Sequence, residues 1–213
     1  MTAFSAFYDR ILPELQGVTT AVVDDMLRQV AIEFCEETEV HCTEVTAIDV
    51  VAGTAEYTLT SPVSSTEACR IKAAWYNGVP LHIASETVLN GSTEYWRDLT
   101  STQPWAYTQK SPDKIILFPE PEESLAGGLR VLIVLRPTLA ATTITDWVAT
   151  RYMRCLGYGV KGRLMAQPAK PWTNPDLATY NLAMYEASKG HAAADARRSF
   201  APGALTVRMR PAV

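Results

Sequence analysis

The chain has 213 residues, 47% of them apolar and 20% charged, and a formal net charge of -4. That is enough for one domain with an appendage and a core of its own, and too mild a charge to mark a nucleic-acid binder. No run approaches the ~20 apolar residues of a membrane span, the N-terminus lacks the basic and apolar regions of an export signal, and Cys35, Cys42, Cys69 and Cys155 form no C-x-x-C pair. The expectation is a protein made in a reducing cytoplasm, its thiols free and mostly buried.

The first predicted element is a short amphipathic segment, Phe4 to Leu12, broken near Pro13. A long helix follows, with Thr20 as its expected N-cap and Asp24 and Asp25 near the positive end of its dipole. Val23, Leu27, Val30, Phe34 and Thr38 lie on one stripe, widened by Met26 and Ala31. The other face carries Glu33, Glu36, Glu37 and Glu39, and is either wet or turned to a partner.

From Thr43 the period changes to two, with Val45, Ala47 and Asp49 alternating and then Tyr57 and Leu59. Arg70 to Tyr76 reads as a strand returned by Asn77-Gly78, a type I′ hairpin signal, into Val79 to Ile83. Ser85 to Leu99 is a short helix and loop holding Tyr95 and Trp96. Trp105 to Gln109 and Lys114 to Phe118 form a second hairpin, and Leu129 to Leu135 is a continuous apolar strand stopped by Pro137.

Helix returns at Thr145-Asp146, with Val148, Tyr152, Cys155, Leu156, Gly159 and Leu164 on one stripe ending near Pro168. Asn174 is the expected cap of a last helix, and Pro175 suits its first position. Leu177, Tyr180, Met184 and Ser188 mark its expected inner face. Ala201 to Val213, with two prolines and a glycine, reads as an extended arm with little apolar surface of its own to offset the entropy of ordering. The expected architecture is α+β: a helical bundle of residues 1–42 and 144–198, a β-rich insertion at 43–143, and an arm at 199–213.

Few groups suggest chemistry. Gly157 to Gly162 fits G-x-G-x-x-G, but it lies in a helical stripe and follows no strand, so its small residues suit a close helix neighbour better than a pyrophosphate. Cys35, His41 and Cys42 lack the second cluster a zinc site needs, and His82 and His191 stand alone. No nucleophile-elbow, zincin or P-loop motif occurs, so neither a cofactor nor a metal is expected. Trp96 and Trp172 sit in expected loops, where a large aromatic either anchors an interface or folds onto its own domain. Residues 189–213 carry a formal +4 and the rest -8. Arg197, Arg198, Arg208 and Arg210 suit either phosphates or a partner's carboxylates. Leu205, Val207 and Met209, alternating with Thr206, Arg208 and Arg210, suit strand addition to a partner's edge.

Several segments together resemble a family. Met26 to Thr38 resembles the "LR-x-A-x-x-E-F-C-x-x-T" helix of bacteriophage head-to-tail adaptor proteins, also called head completion or connector proteins. Gly53 to Leu59, Trp75 to Leu81, Ile115 to Pro121 and Lys170 to Pro175 are similar, in order, to that family's "G-x-x-E-Y-x-L", "N-G-x-P-L", "L-x-L-x-P-x-P" and "G-K-P-W-S-N-P" segments, with Ala169 where a glycine is common. The resemblance spans about Phe7 to Arg198.

It implies a structural virion protein and not an enzyme. Such a protein forms a homo-oligomeric ring, commonly of twelve copies, beneath the portal protein and above the next tail component, a nozzle or tail tube protein. Genomic DNA passes through the ring without sequence recognition, and no membrane is involved. The arm, with Phe200, Leu205, Val207, Arg208, Met209 and Arg210, would bind the portal. Glu33, Glu36, Glu37 and Glu39 would face the channel and repel phosphate. Two rival readings remain: a virion-associated cell-wall hydrolase using carboxylates such as Glu36 or Glu94, and a DNA-binding module using the basic tail.

Overall fold

The computed structural model describes residues 1–92, 96–198 and 200. In chain order its elements are β1 (Thr2–Ala3), α1 (Tyr8–Ile11), α2 (Thr20–Thr38), β2 (Cys42–Val50), β3 (Glu56–Thr58), β4 (Thr66–Tyr76), β5 (Val79–Pro80), β6 (His82–Ile83), α3 (Glu86–Ser92), β7 (Thr100–Ser101), β8 (Ala106–Ser111), β9 (Lys114–Phe118), β10 (Glu120–Pro121), β11 (Leu125–Pro137), β12 (Thr143–Ile144), α4 (Asp146–Met165) and α5 (Pro175–Arg197). The chain is mixed α+β, with helices at both ends.

The helices share one core. From α2, Val23, Leu27, Val30, Ala31, Phe34 and Cys35 enter it; from α4, Val148, Tyr152, Leu156 and Val160; from the N-terminal segment, Phe4, Phe7 and Ile11. Thr19, and not Thr20, is the N-cap of α2, and no side chain caps it. The stripes read from α2 and α4 are buried as spaced, because large aliphatic and aromatic side chains recur there at three and four residues. Gly159 and Gly162 bring α4 close to its neighbours. A Cβ on Gly159 would lie 2.7 Å from Val30 Cγ1 and 3.0 Å from Tyr185 Cδ2, and one on Gly162 would lie 2.8 Å from Leu182 Cγ.

α5 turns a different face inward from the one expected. Asn174 caps it by accepting from the Leu177 amide at 3.1 Å, and Pro175 opens it. The buried positions are Ala178, Asn181, Tyr185, Ala192 and Ala196, while Leu177 and Tyr180 are 44% and 56% exposed and Met184 and Ser188 half-buried. Close packing on α4 selects alanines, the Tyr185 ring fills the space that Gly159 leaves, and Asn181 is satisfied by the Leu177 carbonyl at 2.8 Å.

Between the helices in sequence lie two four-stranded sheets, ordered β2-β11-β4-β5 and β3-β9-β8-β6. They share a second core, with Val50, Ile71, Leu129, Val131 and Ile133 from the first facing Tyr57, Tyr107, Ile115 and Leu117 from the second. Within β11 the run Val131 to Leu135 is continuously apolar, as suits a central strand paired on both sides, while Arg130 and Arg136 flank it. Asn77 and Gly78 take φ of 47° and 78°, as a type I′ turn requires, and close Tyr76 onto Val79. β2 departs from strict alternation. Ala47 takes φ of 59°, and the pairing with β11 shifts between Leu129 and Val131. This bulge moves the inward set from Val45, Ala47 and Asp49 to Val45, Ile48 and Val50. A third, small cluster of Leu89, Trp96, Ala106 and Phe118 includes residues of α3, β8 and β9. No helix of the described residues is long and apolar enough to cross a membrane.

Candidate functional site

The four glutamates of the α2 surface are not bare. The Arg163 guanidinium bonds Glu33, and Lys189 Nζ stands 3.7 Å from Glu33 and 2.7 Å from Glu37. Arg136 bonds Glu36 and also reaches Glu67 at 2.7 Å. Glu39 pairs with Arg70 at 2.5 Å and lies 3.6 Å from Lys72. Lys189 holds Glu186 as well, at 2.9 Å, with only 12% of its side chain exposed. Burial works against its charge, but the bonds to Glu37 and Glu186 outweigh that and raise its pKa. The surface is therefore a lattice of carboxylates and cations whose partners come from α4, α5 and both inner strands. An acidic stripe on the helix is what the sequence shows; the neutralising residues are remote in the chain.

The expected loop aromatics are both held by their own chain. Trp96 is 4% exposed, sits edge-on to Phe118 with centroids 5.7 Å apart, and donates its indole N–H to Asn90 Oδ1 at 2.6 Å. Trp172 is half-buried against the helical core. The exposed aromatics among the described residues are Trp105 at 52%, Tyr180 at 56%, Phe200 at 43% and Trp147 at 39%. Trp147 lies one residue off the Val148 stripe, which is the signal that could have found it.

Trp147 meets the end of α5. Phe200 packs edge-on against it, with centroids 5.8 Å apart, and the Arg151 guanidinium sits 5.2 Å from the Phe200 ring centre. Leu205, Val207, Arg208, Met209 and Arg210 lie outside the described residues, as does Glu94. The structure thus brings the four glutamates near one another and places Phe200 on the body, apart from Trp96.

The remaining candidates are structural. Gly157 to Gly162 lie within α4 and form no strand-to-helix turn. No group of three or more metal-ligating side chains is gathered among the described residues. Burial pushes the Cys35 thiol far up and the Cys155 thiol to about 12. His41 is 4% exposed, against Trp147, and burial lowers its pKa to about 4. His82 and His191 are exposed. Glu36, the first suspect for acid–base work, has its carboxylate bonded by Arg136.

The α2 glutamates are thus paired within the chain, beside a tightly packed helical core. A family model described as SU10 adaptor protein matches residues 2–208. The chain belongs to the SU10 adaptor family. That family is of the phage head–tail adaptor type, and its members are structural proteins. No curated protein matches this SU10 adaptor.

Proposed function

We propose that this SU10 adaptor is one subunit of a ring of twelve copies that seats beneath the portal of a phage head. Its far side receives the next tail component, a nozzle or tail tube protein, and genomic DNA passes through its centre without sequence recognition. The observation that carries this reading is the family match over nearly the whole chain, residues 2–208. In this reading residues 1–42 and 144–198 form the ring body, 43–143 turn toward the tail, and 199–213 reach the portal.

We place Glu33, Glu36, Glu37 and Glu39 toward the channel. Paired with Arg163, Arg136, Lys189 and Arg70, they offer DNA carboxylates held in place by cations already engaged. Cations engaged in this way are less available to bind phosphate, and the surface repels DNA less than four bare glutamates would. The test uses heads filled with DNA but made without this protein. Added protein is expected to stop DNA leaking and to restore tail attachment. Heads that still leak and stay tail-less at saturating protein would defeat the proposal.

A further inference from the structure

Phe200 has a backbone and a set of contacts that a loose tail would not need. Arg198 is the C-cap of α5, and two residues on the Phe200 amide donates to the Asp195 carbonyl at 2.9 Å. That bond ties a residue beyond the helix end back onto the last turn of α5. Phe200 also takes φ of 57°, a left-handed conformation that bulky residues rarely adopt without compensation.

The compensation is its ring. Phe200 meets Trp147 edge-on, at 5.8 Å and 85°, and takes the Arg151 guanidinium carbon at 5.2 Å from its centre. Arg151 is itself fixed by Asp195 at 2.9 Å, in the same helix end that Phe200 closes. Trp147 rests on His41 at 5.9 Å and on Tyr152 at 6.4 Å, so the ladder runs from Phe200 to the junction of α2 and β2.

We propose that Trp147 and Phe200 form an anchor that fixes the chain to the body at residue 200. Phe200 then belongs to the anchor, and the capturing part of the arm begins after it. The consequence for binding rests on the reading that the arm engages the portal. An arm launched from one fixed point has less conformational freedom to lose when it is captured. Phe200 and Trp147 are positioning residues in that event, and the arm makes the contacts.

The experiment uses the full chain and has two readouts: amide protection at residue 200 without portal, and affinity for purified portal. Phe200→Ala is expected to lower protection at residue 200 by roughly two- to tenfold, the range one aromatic pair supplies, while the Tyr185 amide in the body of α5 is unchanged. Phe200→Trp is expected to restore it. Trp147→Ala should cost the same protection, and the double variant little more, because both remove one contact. Affinity for portal should fall and recover in step. Unchanged protection in Phe200→Ala overturns the anchor. Lost protection with undiminished portal affinity overturns its positioning role. A wild-type chain that ignores portal sinks the adaptor reading, and the exchange data still decide the anchor.

Discussion

Acidification tests how tightly the junction of α2 and β2 is sealed. His41 is 4% exposed, its Nε2 lies 3.4 Å from Thr145 Oγ1, and no carboxylate among the described residues bonds its ring. Burial lowers its pKa from 6.5 to about 4. Between those values the unfolded chain takes up a proton that the folded chain refuses. Stability is therefore full above pH 6.5 and falls as pH drops toward 4. The total loss is about 3 kcal/mol, of which about 2 kcal/mol is gone by pH 5.

The carboxylates held low act in another window. Asp146 (bonded by the N-terminal ammonium), Asp113 (by Ser111) and Glu56 (by Lys114) have folded pKa values below their ordinary 3.8 to 4.5. Their contribution is complete above that range and is lost only below it. Urea unfolding of wild type and His41→Asn at pH 7.5, 6 and 5 separates the two. Wild type should lose about 2 kcal/mol between pH 7.5 and 5, and the variant no more than a few tenths. Equal slopes for both proteins would show that His41 is not the sealed group.

Two further predictions concern packing and charge. Gly159→Ala should destabilise the fold by about 1–3 kcal/mol, because its Cβ would meet Val30 Cγ1 at 2.7 Å. Gly157→Ala, with nothing within 4 Å, should be neutral or stabilise by up to about 1 kcal/mol through helix propensity, and thermal unfolding of the pair reads the contrast. Lys189→Met leaves Glu37 and Glu186, both more than half exposed, without their cation and should cost no more than about 1 kcal/mol by urea unfolding. Lys170→Ala, on an exposed lysine without an ion pair among the described residues, should stay within about 0.5 kcal/mol.

Legibility in the sequence followed side-chain size and distance along the chain. The inner faces of α2 and α4 were readable because their buried residues are large and recur with helical spacing. The Asn77-Gly78 hairpin was readable because both positions need positive φ. The inner face of α5 was misread because its contacts are made by Ala178, Ala192 and Ala196, whose smallness is the packing signal and which hydropathy ranks below Leu177 and Tyr180. The register of β2 was misread past Ala47, since a bulge one residue long leaves no compositional trace there. The acidic surface was seen as acidic because Arg163, Arg136 and Lys189 lie 130, 100 and 152 residues from the glutamates they meet, and only the fold brings them back. Trp96 sits in a segment that reads as a loop, and its burial comes from Phe118 on a hairpin strand twenty-odd residues later.

The most direct test of the adaptor reading is the mass in solution of the purified protein, alone and with its portal, alongside a chain ending at Ser199. A ring-sized complex that forms with portal, and is lost when residues 200–213 are removed, is the predicted result. A protein that stays monomeric with portal present, with or without those residues, would contradict the account.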